Sequence, residues 1–433
     1  MSDKTVYVAI STDFFHSGHV NILNKAAEYG KVIVGVLTDE AIATYKRPPI
    51  LGTEERIQIV SNFKDVDSVV VQHSLDYTAN LRKIKPDYVL HGDDWRTGIL
   101  QKVRSQVISV LAEWNGELIE IPYTKHTTGD KLSKQFGAIL NTPQIRLSKL
   151  RKLLQLKPYI RAIDTSNGLT GIIAENAKIM DENSLMAKEF DAMWISSLCD
   201  SAFKGKPDIE LVEMTSRMHT INEIMEVTTK PIILDGDTGG KIEHFSYHVK
   251  TLERMGVSAI IIEDKTGLKQ NSLFGTDALQ ELDDPESFAM KIKEGKQAQV
   301  TRDFMIIARL ESLIAGKDVE DALMRAKTYV EAGADAVMIH SKEKHGNDIF
   351  SFMEKFRDYS QTIPIVVVPT TYNQFTEEEL HAKGANIIIH ANHLLRSAYP
   401  AMLKTAECIL THGSSLQASK EYCMPISEVL TFI

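Results

Sequence analysis

Short apolar runs alternate with longer stretches of mixed polarity along most of this chain. In the first third, strand-like runs at TVYVAI, KVIVGVLT, VDSVVVQ and PDYVLHG are separated by stretches with apolar residues at helical spacing, as at Val20, Leu23 and Ala26. Strands that alternate with helices are typical of a parallel sheet. We therefore predict a small α/β domain over residues 1–140.

The rest of the chain repeats this alternation more regularly and predicts a second domain over residues 141–433. Eight strand-like runs follow one another from Tyr159 onward: YIRAIDTS, AMWISSL, PIILDGD, AIIIEDK, FMIIARLES, AVMIHS, IPIVVVPT and NIIIHANH. Eight strands with intervening helices in a stretch of this length are typical of a (β/α)8 barrel of the TIM type.

Each of the eight runs ends in a polar or charged residue. These strand-end residues are Asp164, Ser196, Asp235, Glu263, Arg309, His340, Thr370 and His390. Barrel enzymes place their active sites at the carboxyl ends of the strands. We therefore expect the eight side chains to share one site.

Carboxylates are concentrated at the ends of two successive runs. Asp235 and Asp237 are two apart in LDGDTGG, so both side chains are expected on the same face of one strand. If the run that ends at Glu263 is the neighbouring strand, the three charges repel one another without a cation. Oxygen ligands of this kind suit Mg²⁺, which keeps several waters and leaves room for a substrate oxygen. The sequence predicts a magnesium site, with solvated acidic strand ends as the alternative.

Composition narrows the functional classes. The 433 residues are 43% hydrophobic and 25% charged, and the net charge of −9 argues against a general nucleic-acid binder. Cys199, Cys408 and Cys423 lack metal-ligand spacing and fit a reducing compartment. The N-terminal residues lack the apolar segment of a signal peptide, and no run of about 18 apolar residues occurs. We expect a cytoplasmic protein without membrane contact.

His16 and His19 lie three residues apart where a helix is predicted to begin, and the free N–H groups of a helix start attract phosphate. This HSGH sequence resembles the HxGH signature of the nucleotidyltransferase superfamily. TYKRPPILGTEERIQIV, HGDDW and TKHTTGDK are similar to the lysine-rich loop and arginine-bearing helix, the GDDW and the RTxGISTT segments of glycerol-3-phosphate cytidylyltransferases. The resemblance covers nearly all of residues 4–135 and implies a Rossmann-like domain.

This first resemblance implies transfer of CMP from CTP to a small phosphate or phosphonate, with release of pyrophosphate. The nucleotide-binding residues that it implies are His16, His19, Lys46, Arg56, Asp93, Thr127 and Thr128. Where the family's RTxGISTT motif opens with arginine, this chain has Tyr123 or Thr124. A domain that binds a nucleotide without catalysis therefore stays open as an alternative.

A second resemblance lies in the C-terminal two thirds. EDKTGLKQNS, together with LDGDTGG, IIARLES, MIHSK and IIIHANH, resembles phosphoenolpyruvate mutase, within the isocitrate lyase superfamily, from about Lys149 onward. It implies interconversion of phosphoenolpyruvate and phosphonopyruvate, the C–P bond-forming step of phosphonate biosynthesis, by a homodimer or homotetramer. The cysteine-bearing KKCGH-type loop of the superfamily's lyases does not occur in this sequence, so lyase chemistry is disfavoured.

The second resemblance also implies roles for individual residues. The implied catalytic residues are Asp208, Lys269, Asn271, Arg309 and His340. The implied substrate-binding residues are Trp194, Ser196, Ser197, Leu198 and Ser272. The implied Mg²⁺ ligands are Asp235, with Asp237 and Glu263 acting partly through water. The family's WGSGL reads WISSL here, so Ile195 and Ser197 replace glycines.

The loop Thr266–Ser272, with Gly267 as its flexible position, is the predicted lid. A lid would keep water from a transferring phosphoryl group, which would otherwise be lost as phosphate. Asn271 favours a mutase over phosphonopyruvate hydrolase, because in this resemblance the hydrolases replace that asparagine. The hydrolase stays open as the alternative.

Overall fold

The computed structural model describes residues 4–11, 15–45, 48–96, 100–122, 142–180, 187–266 and 281–431. The chain divides into two compact units, and each is described by itself. The first comprises residues 1–139 with 155–157 and 178–189, and the second comprises residues 140–154, 158–177 and 190–433. The expected domain boundary between residues 140 and 141 falls within the range 123–141, which lies outside the described residues, and it stays a prediction.

A parallel sheet forms the centre of the first unit. Its strands are β1 (Thr5–Ile10), β2 (Lys31–Leu37), β3 (Ser68–Gln72), β4 (Tyr88–Gly92) and β5 (Glu117–Ile121). They lie in the order β3-β2-β1-β4-β5. The helices are α1 (Ser17–Ala27), α2 (Asp39–Ala43), α3 (Thr53–Ser61), α4 (Thr78–Ile84) and α5 (Leu100–Leu111), with 3₁₀ turns at Asp93–Arg96 and Ala112–Trp114.

Both faces of this sheet are covered, because alternate residues of β1 belong to different buried clusters. Val6 and Val8 pack with Leu23 and Ala26 of α1, whereas Tyr7 packs with a second cluster. Strands buried on both faces read as continuous apolar runs. This is why the strands could be recognised in the sequence, and the predicted parallel α/β domain is confirmed.

The second unit is a closed barrel of eight parallel strands, as predicted. The strands are β6 (Ile160–Asp164), β9 (Ala192–Ile195), β10 (Ile232–Asp235), β11 (Ala259–Glu263), β12 (Met305–Leu310), β13 (Ala336–Ile339), β14 (Ile365–Val367) and β15 (Ile387–His390). In sequence between the first two, β7 (Lys178–Met180) and β8 (Ala187–Glu189) form an antiparallel pair. The barrel closes because β6 pairs with both β15 and β9.

Twelve further helices accompany the barrel strands in the described ranges. They are α6 (Pro143–Leu156), α7 (Gly168–Asn176), α8 (Ser197–Phe203), α9 (Met214–Val227), α10 (Ile242–Met255), α11 (Pro285–Ala298), α12 (Val319–Glu331), α13 (Asn347–Tyr359), α14 (Glu377–Ala382), α15 (His393–His412), α16 (Leu416–Glu421) and α17 (Ile426–Val429). Within the described ranges, no helix combines the length and apolar character needed to cross a bilayer.

The interior of the barrel is apolar, and α6 contributes to it. Leu150 and Leu153 of this helix belong to the same buried cluster as the strand residues Ala162, Ile233 and Ile307. The neighbouring strand residues, such as Ile163 and Leu234, pack instead with the surrounding helices. The apolar strand residues thus fill the interior and contact the helices, and the polar residues lie at the carboxyl ends of the strands.

Leu150→Ala should lower the free energy of unfolding by about 2–5 kcal/mol, because the side chain is fully buried and its removal leaves a cavity. Chemical denaturation followed by circular dichroism measures the loss. Leu169→Ala, at a position 54% exposed, is the matched control and should change the stability by less than about 0.5 kcal/mol. Equal losses in the two variants would contradict the place of Leu150 in the barrel core.

Candidate functional site

The carboxyl ends of the barrel strands surround a cavity of about 480 Å³, its open mouth included. Eight predicted site residues line it: Trp194, Ser196, Ser197, Leu198, Asp208, Asp235, Arg309 and His340. Their chemical roles stay predictions, but the fold brings these side chains to one place. Thr370 and Asn392 line the cavity too.

Three strand-end residues are not among those that line this cavity: Asp164, Glu263 and His390. Nε2 of His390 lies 2.8 Å from Oε1 of Glu377, at the start of α14. Five of the eight strand-end side chains therefore line the cavity, and the expectation of one shared site is wrong for His390, which pairs with Glu377 instead. Position at a strand end places a residue at the carboxyl end of the barrel, but it does not decide whether the side chain points toward the cavity or away from it.

The turn after β9 carries the predicted substrate-binding residues. Ser196 caps α8, since its Oγ accepts the N–H of Cys199 at 3.1 Å. Ser197 donates its N–H at 3.3 Å and its hydroxyl at 3.0 Å to the same Oδ2 atom of Asp235. The second resemblance implies that Ser197 binds substrate, and its backbone N–H is one group that could do so. In the structure this N–H bonds Asp235, because the neighbouring strand ends there.

The three predicted metal ligands are all buried, with exposed fractions of 4% for Asp235, 7% for Asp237 and 1% for Glu263. Strand β10 ends at Asp235, and Asp237 lies beyond it in a left-handed conformation with a φ of 53°. The expectation that both aspartates leave one face of a strand is therefore wrong, because the chain turns after Asp235. Glu263 ends β11, which pairs with β10.

Cations lie beside these carboxylates in the folded protein. Nη1 of Arg217 is 3.0 Å from Oδ2 of Asp237. Glu263 is 3.3 Å from Nη1 of Arg309 and 3.2 Å from Nζ of Lys265. The repulsion predicted between the carboxylates is therefore relieved in part by the protein itself.

The donor set fits Mg²⁺ if water completes the coordination. Within the part of the chain that the structure describes, no three His, Cys, Asp or Glu side chains form a ready metal-binding group. Of the three predicted ligands, Asp235 lines the cavity. Proteins commonly hold Mg²⁺ by one or two carboxylates with waters and substrate oxygens. A site with Asp235 as direct ligand, and with Asp237 and Glu263 acting partly through water, is compatible with this coordination of Mg²⁺.

A buried ion-pair network supports Arg309 and His340. Oε1 of Glu311 is 2.5 Å from Nε of Arg309 and 2.9 Å from Nδ1 of His340. Its Oε2 is 3.4 Å from Nζ of Lys265. Sequence reasoning missed Glu311, although it follows Arg309 by two residues, the spacing that puts side chains on one side of a strand.

The network fixes the charge that faces the cavity. Burial opposes the charge of Arg309, but the carboxylates of Glu311, Glu263 and Asp235 outweigh it and raise the pKa of this guanidinium above its ordinary value. Burial and the charge of Arg309 lower the pKa of His340, against the opposing effect of Glu311, so this imidazole is neutral at neutral pH. A fixed cation beside a neutral imidazole suits carboxylate and phosphoryl oxygens.

Asp164, at the end of β6, ties neighbouring strand ends together behind the cavity wall. Its Oδ2 accepts the N–H of Asn392 at 2.9 Å. Burial raises the pKa of Asp164 to about 7, although hydrogen bonds from the Cys199 thiol and from the N–H groups of Asn392 and Ser196 favour the charged form. The sequence marked Asp164 as a strand end and gave no sign of this burial.

Six predicted site residues lie outside the described residues: Lys46, Thr127, Thr128, Lys269, Asn271 and Ser272. Nearly all of the predicted lid, Thr266–Ser272, lies outside them as well. The roles of these residues stay predictions.

In the first unit, His16 and His19 lie together at the start of α1, with ring centroids 4.0 Å apart. Nδ1 of His16 accepts the N–H of Gly18 at 3.1 Å, and Nδ1 of His19 accepts the N–H of His16 at 3.4 Å. Because each Nδ1 accepts, the proton of each neutral ring lies on Nε2. Burial lowers the pKa of His16. The two imidazoles therefore lie side by side at the helix start, with Nδ1 of each turned to the backbone.

Arg56, predicted to bind the nucleotide, is held by contacts within the first unit. Its guanidinium is buried and donates to the carbonyl of Leu37 at 2.7 Å and to that of Leu51 at 3.1 Å. Nη2 pairs with Oδ1 of Asp39 at 2.5 Å. Arg56 thus joins the end of β2 to α3, and its contact with a nucleotide stays a prediction.

Asp93 begins the 3₁₀ turn after β4, and Glu120 holds that turn. Nε1 of the buried Trp95 donates to Oε1 of Glu120 at 2.8 Å. Arg104 and Arg96 also donate to Glu120 and hold its pKa well below the usual range. Glu120 was missed because no motif in the sequence marks it.

Comparison with known proteins adds to this geometry. The family model described as phosphoenolpyruvate phosphomutase matches residues 150–410, and the cytidylyltransferase-like model matches residues 11–152. A phosphoenolpyruvate phosphomutase of Tetrahymena pyriformis is 35% identical over 63% of this chain and 88% of its own length. A phosphonopyruvate hydrolase of Variovorax sp. is 37% identical over 56% of this chain and 82% of its own. A crystal structure of phosphonopyruvate hydrolase with oxalate and Mg²⁺ is similar with a TM-score of 0.58, at 31% identity over 66% of this chain and 94% of that one.

Asp164→Asn should gain stability relative to the native protein as the pH rises from about 5 to about 8 in EDTA. The folded-state pKa of Asp164, about 7, lies above the ordinary value of 3.8. The stability that its proton contributes is complete below the unfolded pKa and is lost as the pH rises through about 7, whereas asparagine does not titrate. Thermal unfolding at both pH values measures the difference in Tm. A difference that does not change with pH would contradict the raised pKa.

Proposed function

The chain is an enzyme that belongs to the phosphoenolpyruvate phosphomutase family, and we propose that its barrel interconverts phosphoenolpyruvate and phosphonopyruvate. The observation that carries this proposal is the meeting of Asp235, Arg309 and His340 with the Ser196–Leu198 turn around one cavity. Such a cavity offers hydrogen-bond donors to the pyruvoyl end of a substrate and a fixed cation to its anionic oxygens.

In the proposed reaction the bond between phosphorus and the enol oxygen breaks, and a bond between phosphorus and C3 forms. Neither a proton nor a second reactant is exchanged. A loose transition state spreads negative charge over three phosphoryl oxygens. Arg309, kept charged by Glu263 and Glu311, and the neutral His340 would bind those oxygens and the substrate carboxylate.

Trp194 would contribute a further donor. Its Nε1 is buried and has no hydrogen-bond partner among the described residues, and the side chain lines the cavity. A buried donor without a partner carries a free-energy cost that a substrate oxygen would remove. Ser196 and Leu198 lie on the same side of the cavity and would hold the pyruvoyl group with it.

Mg²⁺ is part of the proposal, with Asp235 as direct ligand and Asp237 and Glu263 acting partly through water. When bound, the ion would polarise the enolate oxygen as a Lewis acid. The buried carboxylate oxygens at the ends of β10 and β11 support this choice of ion.

Asp208, Lys269 and Asn271 complete the proposed catalytic set. Asp208 lines the cavity, and the other two, with Ser272, belong to the lid proposed from the sequence. The lid would exclude water from the transferring group.

Phosphonopyruvate hydrolase is the second candidate function. The hydrolase of Variovorax sp. is as similar to this chain as the mutase of Tetrahymena pyriformis, at 37% against 35% identity. Asn271 favours the mutase, because the resemblance places asparagine there in mutases and another residue in hydrolases.

For the first unit we propose transfer of CMP from CTP to a small phosphonate or phosphate. The Nε2–H groups of His16 and His19 at the start of α1 support it, since donors fixed at a helix start stabilise the charge of phosphate oxygens. A nucleotide-binding unit without catalysis is the competing proposal, and the burial of Arg56 favours it.

The wider proposal is a bifunctional cytoplasmic enzyme of phosphonate biosynthesis, without nucleic-acid or membrane partners, that forms a homodimer or homotetramer. Helix α15 supports an oligomer, because Tyr399, Met402 and Leu410 on it are 66%, 58% and 83% exposed.

Phosphorus NMR of the purified chain with phosphonopyruvate and Mg²⁺ tests the barrel. We expect the phosphonate signal to move to that of a phosphate ester, and EDTA to stop the change. His340→Ala should slow it by about 10²-fold or more, because a donor to the transferring group is lost. His219→Ala, at an exposed position on α9, is the control and should keep the native rate. Signal that moves to inorganic phosphate instead would make the barrel a hydrolase.

Pyrophosphate release from CTP with 2-aminoethylphosphonate as acceptor tests the first unit. His16→Ala should lower the rate by about 10²-fold or more, because the Nε2–H donor is removed. His73→Ala, at an exposed position after β3, is the matched control and should keep the rate. Binding of CTP by the native chain with no release of pyrophosphate would contradict a transferase and support the binding unit.

A further inference from the structure

The loop between α8 and α9 carries Asp208 to the cavity. It covers residues 204–213, and most of its side chains are exposed. Gly205 and Glu210, on either side of Asp208, both have left-handed backbone conformations, with φ of 65° and 58°. The position of Asp208 therefore depends on how this loop is held.

Glu210 fastens the loop to the turn that follows β10. Its Oε1 accepts the N–H of Thr238 at 3.0 Å and the hydroxyl of Thr238 at 2.7 Å. Thr238 directly follows Asp237 and is itself anchored, since Nζ of the buried Lys291 on α11 donates to its carbonyl at 2.8 Å. The loop is thus joined to a rigid part of the barrel next to the proposed metal ligands.

Glu210 has a backbone conformation that residues other than glycine adopt rarely, and that persists only where surrounding contacts hold it. Burial of its neighbours does not hold it, because Ile209 is 41% and Leu211 is 51% exposed. The two hydrogen bonds to Thr238 hold the Glu210 side chain inward, and Val212, two residues on, is buried. A strained residue beside a proposed catalytic residue indicates pre-organisation of the site.

We propose that Glu210 is a positioning residue, which keeps Asp208 at the cavity by fastening the 204–213 loop to Thr238. The inference rests on the proposed function of the barrel and adds a residue to which neither the sequence motifs nor the site geometry assigned a role. Glu210 acts through Asp208 and does not itself line the cavity.

Steady-state kinetics with phosphonopyruvate and Mg²⁺ compare three variants of the full chain. Glu210→Gln keeps an oxygen that can accept both hydrogen bonds and should retain the native kcat. Glu210→Ala should lose kcat on the order of tenfold, with KM and Tm changed little, because Asp208 is misplaced. Glu210→Gly relieves the left-handed conformation without restoring the contact, and should lose kcat as the alanine variant does. Native kcat in Glu210→Gly or Glu210→Ala would overturn the proposal.

Glu213→Ala is the matched control, because this carboxylate of the same loop caps α9 through Thr215 and Ser216 and does not reach Thr238. It should lower Tm without the loss of kcat. An equal loss of kcat in Glu213→Ala would assign the effect to general loosening of the loop and overturn a role for Glu210.

Hydrogen exchange of the ligand-free chain separates this inference from the proposed function. Amides of residues 205–211 should exchange faster in Glu210→Ala and Glu210→Gly than in the native chain or Glu210→Gln. If native protein turns over no phosphonopyruvate, the proposed function fails, while the exchange rates still decide whether Glu210 holds the loop. Unchanged exchange in both variants would overturn the proposal.

Discussion

The buried pairing of Arg309 with Glu263 and Glu311 is the interaction on which the barrel site depends. Arg309 is 6% exposed, and a charge removed from water is costly unless it is paired and hydrogen-bonded. Glu263 and Glu311 supply that pairing from β11 and from the end of β12, and Glu311 also contacts His340. The carboxylates keep Arg309 charged and in place at the cavity. Arg309 can therefore present a cation of fixed charge and geometry to an anionic ligand.

At the carboxyl end of the barrel, side-chain hydrogen bonds hold the segments that follow the strands. Asp164 joins the ends of β6 and β15, and Ser197 joins the β9 turn to Asp235. Glu210 joins its loop to Thr238. The apolar interior makes the barrel rigid. The loops lack a core of their own, and these polar contacts fix them to the barrel.

The two units carry different hydrogen-bond donors at their proposed sites. The barrel presents Arg309, whose charge is fixed by its carboxylate neighbours. The first unit has the paired rings of His16 and His19 at a helix start, and the guanidinium of its Arg56 donates to backbone carbonyls. Both arrangements rely on donors that are held in place before a ligand arrives, which is the main source of catalysis in phosphoryl transfer.

The sequence by itself determined the two architectures and much of the barrel site. Apolar periodicity is local, so strands, helices and strand-end residues such as Asp235, Arg309 and His340 could be predicted from neighbours along the chain. Only the tertiary structure decided which partners these side chains have. In the structure Asp237 lies beyond the end of its strand, and His390 contacts Glu377. It also buried Glu311 beneath Arg309. Such partners come from elements far apart in sequence or from turns that no periodicity describes, and their choice follows from packing and from the cost of leaving buried charges unpaired.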